Sequence, residues 1–447
     1  MKKFFESLNN VWKIEELRNR IGLTLLLLLV YRFGAHVTLP GIDATQLTSL
    51  AGQTEKGIGS ILDMFTGGAF SKASVFALGI MPYISASIVV QLMGIAIPYL
   101  QKLQKDGESG RKKLNQITRW LTIGITLVQG PGYIYNLYNT LPAGAFLLPV
   151  NSFAFLFSSV LILTTGTIFA MWLGEKITDK GIGNGISLLI MIGIIARLPQ
   201  ALIQEFTSRI TNNDGGPFML VLELAIWLGV IVACILLVMA VRKIPVQYAR
   251  RTTTGDYEDD MMGGNRQWIP LKLNSAGVMP IIFAQAIMFI PAAVAGLSQS
   301  EASQSIAGTF SNMFGFWYNF VFAMLILIFT FFYTAITVPT NKMADDLKRS
   351  GGFIPGIKPG VETADFLDKI MSLITFPGAL FLALIAVFPA IVVSLNVQQS
   401  WAMFYGGTSL IIMVGVAIDT IQQINSYLLN KHYDGLMKSG KNRKAVA

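Results

Sequence analysis

Ten long apolar stretches alternate with polar connections along this 447-residue chain. They run over 21–37, 74–97, 116–138, 152–173, 182–204, 218–241, 274–297, 316–338, 371–394 and 402–429. Each is near the roughly 20 residues that cross a bilayer core as a helix. In lipid only a helix or a closed barrel satisfies its own backbone, and these runs are too long and too continuous for barrel strands. The pattern predicts an all-α polytopic membrane protein with ten transmembrane helices.

One apolar patch breaks the rhythm. Residues 57–70, GIGSILDMFTGGAF, are bounded by glycines and are far too short to span. The segment is expected to be a half-helix dipping back between other helices, since irregular backbone at membrane depth needs burial in protein or an aqueous cavity. The alternative is an amphipathic helix lying on the periplasmic surface.

Two connections are long and polar. In 242–272, Ile244, Val246 and Tyr248 alternate, as do Ile269, Leu271 and Leu273, which predicts a β-hairpin-like protrusion with a polar tip over Thr252–Arg266. In 339–370, Thr340 is expected to cap a short helix over Lys342–Ser350, closed by Gly351 and Gly352 and followed by the turn FIPGIKPG. Loops of this length are more often functional or disordered than simple linkers, and a docking surface for a cytoplasmic machine is the reading adopted.

Charge orients the array. Of 34 Lys and Arg residues, 29 lie in the N-terminal segment, in alternate connections or in the C-terminal tail, on one side of the pattern. The exceptions are Arg32, Lys56, Lys72, Arg197 and Arg209. Basic loops stay in the cytoplasm, so both termini are expected there. The expected organisation is a cytoplasmic segment 1–20, an N-terminal half 21–210, a C-terminal half 211–430 and a cytoplasmic tail 431–447. Five spans per half make the halves opposite in orientation, and inverted repeats place a pathway at their interface.

Composition removes other classes. Only 13% of residues are charged, against roughly 25% in soluble domains. The net charge of +9 reads as topology signal and headgroup contact, not nucleic-acid binding. The single cysteine, Cys234, excludes an intramolecular disulfide and a thiol–metal cluster. The two histidines, His36 and His432, stand far apart, so neither a metal nor a catalytic site is expected of them. There is no phosphate-binding G-x-x-x-x-G-K-[ST] loop, and no cofactor is expected. The N-terminal apolar run leads into a full span without a small-residue cleavage site, so no cleaved signal peptide is expected.

Four runs carry polar or glycine residues inside spans. In GIMPYISASIVVQL, 79–92, Ile80, Ile84 and Ile88 share a helix face, Pro82 is expected to bend the helix, and Ser85, Ser87 and Gln91 are polar. The others are GIGNGISLLI at 181–190, NSAGVMPIIFAQAI at 274–287 and FYGGTSLIIMVGVAID at 404–419. The glycines of 181–190 do not make a dinucleotide site, because no strand precedes them.

Together these runs resemble the SecY family, the central subunits of the Sec protein-conducting channel. The motifs are PGIDA at 40–44, MFTGGAFSKASVFALGIMPYISASI at 64–88, GESGRKK at 107–113, MWLGEKITDKGIGNGIS at 171–187, FFYTAI at 331–336, PGIKPG at 355–360 and GGTSL at 406–410. The resemblance implies two pseudo-symmetric five-helix halves around a central hourglass pore. Its waist would be a ring of Ile80, Ile84, Ile190, Ile282 and Ile412, an apolar constriction that gates by dewetting. Segment 57–70 would be the plug, with Gly57, Ile58, Ile61, Leu62, Met64, Phe65, Gly67 and Gly68. Ser87, Gln91 and Asn274 would face a lateral gate through which apolar segments enter lipid.

The cytoplasmic loops would dock the SecA ATPase and the ribosome through Arg250, Arg251, Lys348, Arg349 and Lys358. At Lys358 the family pattern carries arginine, whose planar fork a lysine does not reproduce. Further implied partners are the membrane subunits SecE and SecG, signal-peptide-bearing unfolded polypeptides, membrane lipid, and SecDF or YidC. The implied location is the bacterial plasma membrane, and the chain itself is not expected to be an enzyme. The competing reading, an inverted-repeat transporter of small solutes, predicts ionisable groups at mid-membrane. Arg32, Glu223 and Asp419 are the candidates, each toward a span end or able to snorkel. A purely structural scaffold would need neither the half-helix nor a break at Pro82.

Overall fold

The computed structural model describes residues 12, 14–47, 58–146, 153–211, 216–248, 266–297 and 312–444. Helices dominate in chain order: α1 Glu15–Gly34, α2 Ile58–Thr66, α3 Met81–Ala96, α4 Pro98–Lys105, α5 Gly107–Thr140, α6 Phe153–Lys180, α7 Gly185–Thr211 and α8 Gly216–Met239. Strands β1 Val241–Tyr248 and β2 Arg266–Lys272 follow. Then come α9 Met279–Leu297, α10 Phe316–Thr337, α11 Thr340–Arg349, strand β3 Gly352–Phe353, α12 Val361–Ser394, α13 Gln399–Ala402 and α14 Gly407–Lys444.

All ten apolar stretches carry helix. Among the described residues, six helices are long and apolar enough to cross a membrane, and α3 with α4, bent by 104°, makes a seventh candidate. The stretch before α3 differs from its expectation. Residues 75–80 form turns, and helix begins only at Met81. Pro82 therefore sits in the first helical turn, where the missing N–H would have had no intrahelical partner, and it does not break the span.

The chain divides into two compact units. The first runs to Gly216 and takes in Gln398–Trp401 and the chain from Ile412 onward; the second holds Pro217–Val397 and Ala402–Ile411. In the first unit a core gathers Leu39, Phe70, Ala77, Tyr133, Leu137 and Leu163 from four different parts of the chain. The last helix is tied into this unit where Gln423 Oε1 accepts from the Gly183 N–H at 2.9 Å. At the far end of α7, Arg209 and Glu205 form a buried pair at 2.8 Å, and Glu205 also accepts from the Gln398 N–H at 3.0 Å.

In the second unit the expected hairpin is present. β1 and β2 pair antiparallel with Ile244 opposite Ile269, and β3 adds to β1 to give the order β2-β1-β3. The tip, including Arg250 and Arg251, lies outside the described residues. Helix α11 starts earlier than expected. Pro339 is its N-cap, its carbonyl accepts from the Met343 N–H at 3.1 Å, and Thr340 is already helical without acting as a cap. A side-chain cap is not needed to start this turn, since the proline ring fixes φ just before it.

Candidate functional site

The half-helix α2 is nine residues long and is followed by a turn at Gly67 and Gly68. Both glycines have positive φ, +64° and +89°, a region that side chains with a Cβ rarely occupy. Every residue from Asp63 to Phe70 is buried, Met64 and Phe65 among them, and Leu62 is half-buried. This is a helix packed into protein, not one lying on a surface. Gly57 and the side chains of Ile58 and Ile61 lie outside the described set.

Buried polar contacts hold the end of α2. Asp63 Oδ1 accepts from the Ser71 N–H at 2.8 Å, and Asp63 Oδ2 is ion-paired with Arg197 of α7. Arg197 also donates to Ser71 Oγ at 3.0 Å. On the other side Arg32 of α1 donates to the Gly67 carbonyl at 2.7 Å. The Phe70 carbonyl accepts from the Tyr133 hydroxyl of α5 at 2.9 Å. Three helices of the first unit therefore grip one short turn.

Sequence periodicity connects none of Ser71, Arg32, Arg197 or Tyr133 with this segment, and gives its own Asp63 no role. The available signal is the charge pattern. Arg32 and Arg197 are two of the five cations outside the basic segments, and Asp63 is the lone charged residue of 57–70. Arg32 does not simply snorkel, because its guanidinium is spent on a backbone carbonyl of the half-helix turn.

The proposed waist residues fall in both units. Ile80 caps α3 and Ile84 follows one turn later; with Ile190 of α7 and Ile412 of α14 they belong to the first unit and are all buried. Ile282, on α9 of the second unit, is half-buried. Of the gate residues, Gln91 donates to Ser87 Oγ at 3.2 Å along its own helix. Asn274, in the second unit, is buried, and its side-chain oxygen has no hydrogen-bond partner among the described residues.

The two long polar loops make one body. Ile244, Val246 and Leu271 of the hairpin share an apolar core with Leu347 of α11, Ile354 of the Pro/Gly turn, and Leu367 and Met371 of α12. Lys348 and Arg349 are exposed at the end of α11. Lys358 is exposed too, 3.5 Å from Glu362 one helical turn on. Such exposed pairs contribute little to stability, so these cations remain available to a partner surface.

A sequence model of the SecY family matches residues 74–421. The chain belongs to the SecY family. Relatives named protein translocase subunit SecY extend the likeness to nearly full length. The one from Aquifex aeolicus is 38% identical over 435 residues, covering 97% of this chain and 99% of the relative. The one from Halalkalibacterium halodurans is 40% identical over 443 residues, covering 97% and 100%.

Solved structures show the same fold at 16% identity. One described as the structure of a protein conducting channel superposes with a TM-score of 0.60 over 92% of each chain. Sec61 in a canine ribosome–channel complex gives 0.55 over 92% of each. A third, concerning the SecY plug domain and its stabilisation of the closed translocation channel, gives 0.58 over the same shares. Helix α2 precedes the SecY-family match, so of the ion pair that holds it, Arg197 lies inside the matched region and Asp63 outside.

Proposed function

We propose that this chain is the channel subunit of a protein translocase. It conducts unfolded secretory polypeptides across the plasma membrane of a bacterium and releases apolar segments sideways into lipid. The observation that carries this reading is α2, a helix too short to span, seated among full spans by buried contacts in a SecY-family chain. A narrow waist of isoleucines excludes water and ions by dewetting, and it closes around any side chain without selecting one, because isoleucine offers no specific hydrogen bond. Lateral release gains roughly 25 cal/mol per Å² of apolar surface buried.

The chain acts as a channel, and the driving force comes from its partners. A ribosome is one, in keeping with the ribosome-bound Sec61 and Ssh1 channels that share this fold. SecA would dock on the same cytoplasmic body, SecE and SecG would flank the helices in the membrane, and SecDF or YidC would join later steps. Both termini would be cytoplasmic. The small-solute transporter is less well supported, because ion coupling needs ionisable groups free to exchange ions at depth. Of its three candidates, Arg32 is engaged with the half-helix turn and Asp419 is exposed, which leaves only the buried Glu223.

Site-specific photocrosslinking of an arrested secretory chain tests the reading. Crosslinks from positions 84 and 412 to the translocating chain are expected. Crosslinks confined to exposed outer positions such as Phe218 on α8 would overturn it.

A further inference from the structure

Displacing α2 requires some contacts at its end to break and others to hold. Gly67 and Gly68 are the natural swivel, since glycine changes φ and ψ without a Cβ clash. Arg32 holds the carbonyl of Gly67, the swivel itself, and Tyr133 holds Phe70 beyond it. These contacts lie on or after the pivot and survive a swing of the helix. Asp63 is different, because it sits on the helix yet binds Ser71 after the swivel and Arg197 on α7. Its carboxylate must leave both when the helix moves.

We infer that Asp63 and Arg197 form the latch that keeps α2 seated, while Arg32 pins the pivot about which it swings. This rests on the plug reading above and assigns its closed-state restraint to one ion pair. The pair is well suited to a two-position device. The Asp63 side chain is 6% exposed and the Arg197 side chain 23%. A buried charge is stable while its partner is present and strongly disfavoured alone, so intermediate positions of the helix are penalised. The latch yields when an incoming chain supplies enough contact energy to seat α2 elsewhere. It thereby sets how good a signal sequence must be. Asp63 and Arg197 act through the position of α2, and are positioning residues that tune specificity.

The test is ion conductance of the purified complex in planar bilayers, with no substrate present. Four chains are compared: the parent, Asp63→Asn, Arg197→Gln and the double variant. Asparagine keeps an oxygen for the Ser71 N–H and removes the charge. Each single variant is expected to raise resting conductance about tenfold, the scale set by removing one charge-assisted hydrogen bond. The double variant should add nothing further, because both changes open the same latch. Parent-level conductance in either single variant that assembles overturns the latch, as do multiplicative effects in the double variant. Deleting 58–68 separates the two levels. If that deletion leaks while the point variants stay tight, the latch fails and the plug reading stands. If the deletion itself stays tight, both fail. Export of a reporter with a defective signal sequence gives a second readout in cells, rising in Asp63→Asn and Arg197→Gln and unchanged if the latch is absent.

Discussion

Gly193 of α7 lies flush against the backbone of Phe65 in the half-helix. A Cβ at Gly193 would stand 2.8 Å from the Phe65 carbonyl oxygen and 3.2 Å from the Gly67 nitrogen. The opposing atoms are backbone, so they cannot rotate away as a side chain would. The approach needs glycine on the α7 side.

Gly193→Ala is therefore expected to unseat α2 without removing any polar contact. Overpacking of this kind costs about 1–3 kcal/mol, enough to shift a closed equilibrium by one to two orders of magnitude. Conductance of the reconstituted variant checks it. A channel as tight as the parent would mean that α2 closes without this approach.

The waist makes a second prediction. Asparagine at position 84 or 412 puts an amide where a buried aliphatic side chain stands. An unsatisfied buried amide costs about 1–3 kcal/mol, and water would supply the missing partners, so the proposed constriction would wet. Ile84→Asn and Ile412→Asn are expected to export a reporter whose signal sequence the parent rejects. Normal rejection by both variants counts against the ring.

The body built from the two polar loops makes a third. Lys348, Arg349 and Lys358 stand exposed beside a shared apolar core, and Arg250 and Arg251 lie in the stretch between β1 and β2 that falls outside the described residues. Reversing Arg250 and Arg251 to Glu should weaken binding of the motor or the ribosome, with a stronger effect at low salt, because exposed charges are screened over a Debye length of about 8 Å at physiological ionic strength. A pull-down at two salt concentrations measures this. Equal binding in both would remove the docking assignment from those two residues.

A fourth concerns pH. Asp43 accepts from the Thr45 backbone N–H at 3.0 Å and from its hydroxyl at 2.8 Å, and these bonds hold the Asp43 carboxyl below its ordinary value, the backbone bond first. A carboxyl depressed on folding stabilises above its unfolded pKa and loses that contribution as pH falls through the folded value. The turn at 43–46 should thus be insensitive to pH near neutrality and loosen only in acid, below the ordinary aspartate value of about 3.9. Hydrogen exchange of this segment, compared between the parent and Asp43→Ala, should show acid sensitivity in the parent alone.

The spans, the hairpin and the half-helix are legible because each is written in local periodicity. A run of twenty apolar residues must become helix in lipid whatever surrounds it. The alternation of Ile244, Val246 and Tyr248 similarly selects strand. Local signals mislead where a terminus has to be placed. Pro82 reads as a bend within a helix that in fact begins beside it, and Thr340 reads as the cap of a helix to which it already belongs.

The sequence by itself determined the membrane class, the run of spans, the charge asymmetry between alternate connections and the family. Tertiary structure alone decided what holds the half-helix and how the two polar loops combine. Arg197 meets Ser71 across 126 positions, and Arg32 meets Gly67 across 35. Neither pairing has a period or a spacing to betray it. The contacts exist because α1, α5 and α7 pack around one glycine turn, and the partly buried arginines take the acceptors that packing brings within reach.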